Sequence, residues 1–303
     1  MSTLSIQQFN DRFNANGAIR FEPGNGNLTR AVIKSPSADA EIYIHGAHVT
    51  HYQPRGQQPV LFTSTQSAFA PGKAIRGGVP VIFPWFGPRY GTDKSQMHGF
   101  VRILPWEVVD AARSANSVSI TFSMQSSDAT RQIWPQDFHA LFSVTVGPSL
   151  KLSLEIRNTS KEPFDFDEGL HTYFAISDIK SVWVEGLKNH HYRDRNLSPD
   201  PIVDASDKIT FADKTDRLYR DARGTCTIHD PGLARQIVVA KENSATTVVW
   251  NPWQLGPNDY ADLAREDWEK FVCVESCNAR ENALKLAPNQ THVLTATITT
   301  RPL

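Results

Sequence analysis

Short apolar–polar alternations, interrupted every few residues by glycine, proline or asparagine, run through most of this 303-residue chain. Residues 40–49, 118–124, 142–146, 150–156, 237–240, 246–250 and 293–299 all repeat with a period of two. That period belongs to strands with one buried face. Turn-forming sequences stand between them: Pro23-Gly24-Asn25-Gly26, Gly147-Pro148, Asp230-Pro231-Gly232 and Pro288-Asn289. Helical patterning is scarce. Residues 5–13 carry the clearest helix, and 259–269 have room for one or two turns. Many short strands with turns between them predict an all-β sandwich or barrel. No Gly/Ser-rich linker divides the chain, so one antiparallel β-sandwich domain is expected over 21–303, with residues 1–20 as an arm packed on it.

Bulk properties remove several function classes. A formal net charge of −1 and a pI near 6.8 argue against a nucleic-acid binder that relies on a basic surface. No apolar run approaches the ~18 residues that span a bilayer. The opening MSTLSIQQFNDRFN lacks the basic and apolar regions of a secretion signal. Cys226, Cys273 and Cys277 are too few and wrongly spaced for a disulfide framework or a zinc cluster. A soluble, cytoplasmic protein with no membrane or nucleic-acid partner is the expectation. P-loop, GxGxxG, HExxH and GxSxG sequences do not occur in a convincing context.

Residues 75–89 read Ile-Arg-Gly-Gly-Val-Pro-Val-Ile-Phe-Pro-Trp-Phe-Gly-Pro-Arg. Gly77-Gly78 lets the backbone approach a partner closely or take positive φ. The prolines exclude a helix and fit a central strand poorly. What remains is a rigid aromatic loop with an arginine near each end, suited to a small polar ligand with an anionic group. A packed connector between strands would look the same.

Three further patches place polar groups among apolar ones: Met97-His98-Gly99-Phe100-Val101-Arg102, Asp167 to Phe174, and Phe271 to Ser276. In the last, alternation puts Phe271, Cys273 and Glu275 on one strand face. A glutamate after four apolar residues is at least half buried, and needs a partner or loses its charge. It is either a structural ion pair with an arginine or a general base held at fixed geometry. The same alternation puts Asp167, Gly169, His171 and Tyr173 on one face. His171 is then a satisfied structural histidine or a proton donor, whose imidazolium nearby Asp165, Asp167 and Glu168 would favour. Arg76 and Arg102 present planar forks that match phosphate, although surface ion pairs are arginine's commonest fate. His98 is a ligand donor or a turn histidine. Trp85, Trp250 and Trp253 offer flat faces of the kind sugars pack on, or are core.

Taken together, the segments 75–87, 98–106, 169–174, Asp216-Arg217-Leu218-Tyr219, Val249-Trp250-Asn251-Pro252 and 271–275 resemble the aldose 1-epimerase superfamily, in its glucose-6-phosphate 1-epimerase branch. They cover roughly residues 30 to 300. Arg-Gly-Gly-x-Pro, Pro-x-Phe-Gly and His-Gly-Phe-x-Arg followed by Leu-Pro-Trp are specific in combination. The resemblance implies a galactose mutarotase-like β-supersandwich and interconversion of the α and β anomers of a hexose 6-phosphate. It implies His171 as general acid, Glu275 as general base, and Arg76 and Arg102 as substrate-holding arginines directed at the phosphate. Asp216 matches the acidic residue that binds sugar hydroxyls, and His98 falls within a family motif. Met97 departs from the pattern, since some relatives carry glutamine immediately before His-Gly and here Gln96 is displaced by one.

The chemistry is economical. Ring opening removes the C1 hydroxyl proton while the ring oxygen gains one, and a carboxylate and a histidine on opposite sides of the sugar can do both. No cofactor or metal is called for, and a monomer suffices. Two other readings share the scaffold: a mutarotase of unphosphorylated aldoses, which changes what Arg76 and Arg102 do, and a non-catalytic sugar-phosphate sensor, which has no need of the His171/Glu275 pair. A glycoside hydrolase would use two carboxylates, a pair that Asp216 with Glu275 could mimic.

Overall fold

The computed structural model describes residues 4–89, 96–194, 198–256 and 259–303. Residues 1–3 of the expected arm lie outside the described residues. Three antiparallel sheets dominate. Ile19–Pro23, Thr29–Lys34, Ala38–Tyr43 and His48–Pro54 form a four-stranded sheet in chain order. A nine-stranded sheet runs through Arg235–Glu242, Thr291–Pro302, Leu150–Asn158, Phe138–Val146 and Val118–Gln125 at its centre. An eight-stranded sheet is centred on Thr246–Asn251 and Phe271–Asn278. The all-β expectation holds.

The two large sheets are buried differently, and this difference locates the site. Phe138–Val146 alternates strictly between buried and half-buried residues, which is a sheet with one face on the core. Thr246–Asn251 and Phe271–Asn278 are buried at every position. One face of these strands feeds the core through Val249, Val272 and Val274. The other lies beneath loops, and those loops wall a cavity.

The short helix Ile6–Phe13 is capped by Ser5, whose hydroxyl accepts from Gln8 N while the Gln8 side chain accepts from Ser5 N. Its Phe9 stacks on Phe21 of the four-stranded sheet at 5.1 Å. One local expectation is corrected. Residues 40–49 are not one strand but parts of Ala38–Tyr43 and His48–Pro54, joined at Gly46 and Ala47, both with positive φ. That turn is itself buried, so no polar cluster marks it in the sequence. Residues 259–269 hold only a 3-10 turn at Asp267–Glu269. The Asp267 carboxylate accepts from Ala264 N and the Ser64 hydroxyl, which ties the segment down as a loop.

Candidate active site

The floor of the cavity is set by strand register. Tyr173 pairs with Cys273, Cys273 with Trp250, and Trp250 with Asp216, giving one row of side chains across four strands. The next row along holds Glu275, Val248 and Leu218. Because side chains alternate faces, all of these project to the same side. Asp216, Trp250, Val248 and Glu275 duly line one cavity of about 290 Å³, together with Arg76, His98, Arg102 and His171.

His171 stands in a break between Glu168–Leu170 and Tyr173–Ala175, rather than within a continuous strand. Both short strands pair with Phe271–Asn278, and their registers agree: Gly169 faces Cys277 and Tyr173 faces Cys273. Carrying that register across the break puts His171 opposite Glu275. Its Nδ1 lies 3.2 Å from Glu275 Oε1, and both side chains are almost wholly buried. The contact lacks the alignment of a hydrogen bond. The imidazole stacks on Tyr173 at 4.7 Å and meets Trp250 edge-on at 6.0 Å. Glu275 Oε2 accepts from the Cys277 thiol at 3.9 Å.

Of the three acids expected to favour the imidazolium, Asp165 is exposed and the other two are engaged elsewhere. Asp167 accepts from the backbone N–H groups of Phe86 and Arg280. Glu168 accepts from Asn278 and pairs with His292 at 3.0 Å. Burial, followed by the charges of Arg102 and Arg76, holds the His171 pKa well below the ordinary imidazole value. Burial and these two arginines thus favour the neutral form of His171. Cys277 is pushed above the usual thiol range, first by burial and then by Glu275, so toward that carboxylate it can only donate.

Arg76 leaves a loop laced to residues 62–64. Gly77 has φ +104°, and a β-carbon there would meet Phe62 O at 2.4 Å, so only glycine allows this approach. His48 Nε2 donates to Gly77 O from behind. The Arg76 fork is fixed on two sides, Nε donating to Asp262 Oδ2 at 3.1 Å and Nη1 to the Tyr173 hydroxyl at 3.0 Å, with Tyr260 beneath it. Burial opposes its charge, but Tyr173 and Asp262 outweigh that and keep its pKa above the ordinary guanidinium value.

Arg102 is held differently. Nη2 donates to Met97 O at 2.6 Å, while Nε is buried without a partner. No carboxylate among the described residues lies within ion-pair distance of it. Burial and the neighbouring Arg76 push its pKa down to about 10. Asp262 and Glu275 favour its charge only from beyond ion-pair distance.

His98 has φ +61°, and the glycine after it is obligatory: a β-carbon on Gly99 would sit 1.8 Å from Phe83 O. Its backbone N–H donates to Gly87 O, and its Nδ1 accepts from Gly87 N at 3.3 Å. That acceptor role fixes the neutral tautomer with its proton on Nε2, a hydrogen-bond donor. Among the described residues no group of three or more histidine, cysteine or acidic side chains is arranged to hold a metal ion.

A family model for aldose 1-epimerase matches residues 30–299. The chain belongs to the aldose 1-epimerase family. It is 36% identical over 255 residues, 84% of each chain, to an Escherichia coli protein named as a candidate glucose-6-phosphate 1-epimerase. A Cenchrus ciliaris protein of the same name is 33% identical over 260 residues, covering 83% of this chain and 78% of its own. The crystal structure of a candidate mutarotase from Salmonella typhimurium superposes with a TM-score of 0.88 at 32% identity, over 95% of both chains. A galactose mutarotase related enzyme of Lactobacillus acidophilus, at 15% identity and TM-score 0.72, shares the fold over 90% of this chain and 97% of its own. The galactose mutarotase-like supersandwich expected from the sequence is the fold observed.

Within this epimerase fold, His171, Glu275, Arg76, Arg102, His98 and Asp216 all line one cavity. Of the tryptophans, Trp250 joins them, whereas Trp85 donates to Gln96 O and Trp253 packs on Trp268 at 4.8 Å. Sequence reasoning missed Asp262 and Tyr260. Both lie on the loop after Trp253, and Asp262 is 186 residues from the arginine it pairs with. Aromatics within an otherwise charged, strandless stretch were the only trace of them. No helix among the described residues is long and apolar enough to cross a membrane.

Proposed function

We propose that this chain interconverts the α and β anomers of glucose 6-phosphate or a closely related hexose 6-phosphate, with Glu275 as general base and His171 as general acid. The observation that carries this reading is the 3.2 Å contact between those two groups in a cavity that also holds Arg102. Both oxygens that exchange protons in the reaction, the C1 hydroxyl and the ring oxygen, are bonded to the same carbon. The expectation from sequence sets acid and base on opposite sides of the sugar; here they are adjacent, and two oxygens on one carbon can be served from one side.

Glu275 takes the C1 hydroxyl proton as the C1–ring oxygen bond breaks, and His171 delivers a proton to the ring oxygen. The open-chain aldehyde rotates about its C1–C2 bond. Reclosure on the other face of the carbonyl runs the transfers in reverse, so the enzyme ends with the protons it began with. Asp216 and the Nε2–H of His98 bind sugar hydroxyls, and Trp250 supplies an apolar face. Arg102 takes the phosphate, and Arg76, already matched by Asp262, orients rather than neutralises. Positioned acid–base groups of this kind are worth about 10²–10⁴-fold each.

Magnetisation-transfer NMR on glucose 6-phosphate and on glucose, at equal enzyme, tests the reading. Anomer exchange accelerated for the phosphosugar far beyond that for glucose is expected. Acceleration of neither would overturn it.

A further inference from the structure

The groups that face His171 carry unequal charge. Glu275 touches its Nδ1, Tyr173 covers one ring face, and the His98 ring lies 5.4 Å away. His48 lies behind it, hydrogen-bonded to Gly77 O, and Arg76 and Arg102 stand on the cavity wall. Of the two cations, Arg76 is already matched by Asp262, whereas Arg102 has a buried, unpartnered Nε and no carboxylate of its own among the described residues. In a cavity of about 290 Å³ no wall is far from any other, so charges on its lining act on one another at short range. Arg102, which has no ion pair there, opposes a proton on the imidazole, against the carboxylates of Glu275 in contact with the ring and Asp216 on the cavity wall.

We propose that the phosphate of the substrate completes the acid: seated against Arg102, it cancels the charge that opposes a proton on His171, so the phosphoryl group promotes the chemical step as well as binding. This inference rests on the reading of the cavity as a hexose-6-phosphate 1-epimerase site. The low proton affinity of His171, caused by burial, Arg102 and Arg76 in that order, is what such an anion would relieve. Interactions of a non-reacting part of the substrate then lower the barrier instead of only tightening the complex. Preference for phosphosugars would lie in kcat, not in KM alone. An unphosphorylated aldose would enter the same cavity and find an acid without its proton.

Supplying the substrate in two pieces decides the matter. D-Xylose has the ring and anomeric centre of glucose without C6, and phosphite dianion stands in for the missing group. With wild-type enzyme, phosphite is expected to raise kcat/KM for xylose anomer exchange saturably and by at least about tenfold, the population change that accompanies one pKa unit. Unchanged or inhibited xylose exchange, in enzyme that turns over glucose 6-phosphate, would overturn the proposal. No exchange of glucose 6-phosphate would instead sink the underlying functional reading, and the inference with it. Arg102→Ala is expected to abolish the phosphite response, and a retained response would remove Arg102 from the role. A third readout needs no variant. The alkaline limb of the rate profile, where the acid loses its proton, is expected about one pH unit higher for glucose 6-phosphate than for glucose. Coincident limbs would contradict the proposal.

Discussion

Gly169 and Cys277 are register partners on adjacent strands, and a β-carbon on Gly169 would lie 2.5 Å from the Cys277 sulfur. The missing side chain is the space in which the thiol sits, two residues along the strand from Glu275 on the same face. Gly169→Ala must displace the thiol or the strand. Overpacking of this kind costs about 1–3 kcal/mol, read as a fall in Tm. Cys277→Ala in the same background is expected to restore most of it. A Gly169→Ala protein as stable as wild type would show that the notch has no packing role.

Glu275→Gln keeps the shape of the side chain and removes the base. Anomer exchange of glucose 6-phosphate is expected to fall by about 10²–10⁴-fold with Tm little changed. His171→Asn should lose a similar factor. Wild-type exchange in either variant would remove that residue from the proton chemistry.

Arg102 and Asp262 should separate by substrate. A hydrogen bond to a charged group is worth about 1.5–3 kcal/mol, so Arg102→Ala is expected to lower kcat/KM for the phosphosugar about 10–100-fold more than for glucose. Asp262→Asn frees the Arg76 fork, which on the proposed reading orients both sugars in the same way. Comparable losses on glucose 6-phosphate and glucose are expected, measured side by side in the exchange assay. A loss confined to the phosphosugar would make Arg76 the phosphate ligand instead.

Acid stability should report on His48. Burial, partly offset by its bond to Gly77 O and reinforced by His45 and Arg102, lowers its pKa from 6.5 to about 3. Between those values the unfolded chain carries a proton that the folded chain refuses, so stability falls as pH drops through this window. The full loss is roughly 3–5 kcal/mol. Urea unfolding from pH 7 to pH 4 should show this slope, and His48→Gln should flatten it by about one proton. An unaltered slope in the variant would place the titration elsewhere.

Much of the fold and most of the site are legible in the amino-acid sequence itself, for a definite reason. Period-two alternation identifies Val118–Gln125 and Leu150–Asn158 because each has one face on the core and one toward solvent. It also puts His171 and Glu275 on particular strand faces, although it cannot show that their strands are neighbours. The buried hairpin at Gly46 escapes because burial on both sides of the turn erases the usual polar punctuation. Asp262 and Tyr260 escape because they meet Arg76 only through the fold, from a loop whose own sequence has no period. The lowered proton affinity of His171 escapes as well. It depends on Asp167 and Glu168 turning to Phe86, Arg280, Asn278 and His292, choices that local sequence does not encode.

The spacing of His171 and Glu275 is inherited from main-chain pairing on either side of the break, and so owes little to the loops around them. Arg76, His98, Tyr260 and Asp262, by contrast, are all carried on those loops. Evolution can therefore redraft what this scaffold recognises, one connection at a time, and leave the distance between acid and base where the sheet has set it.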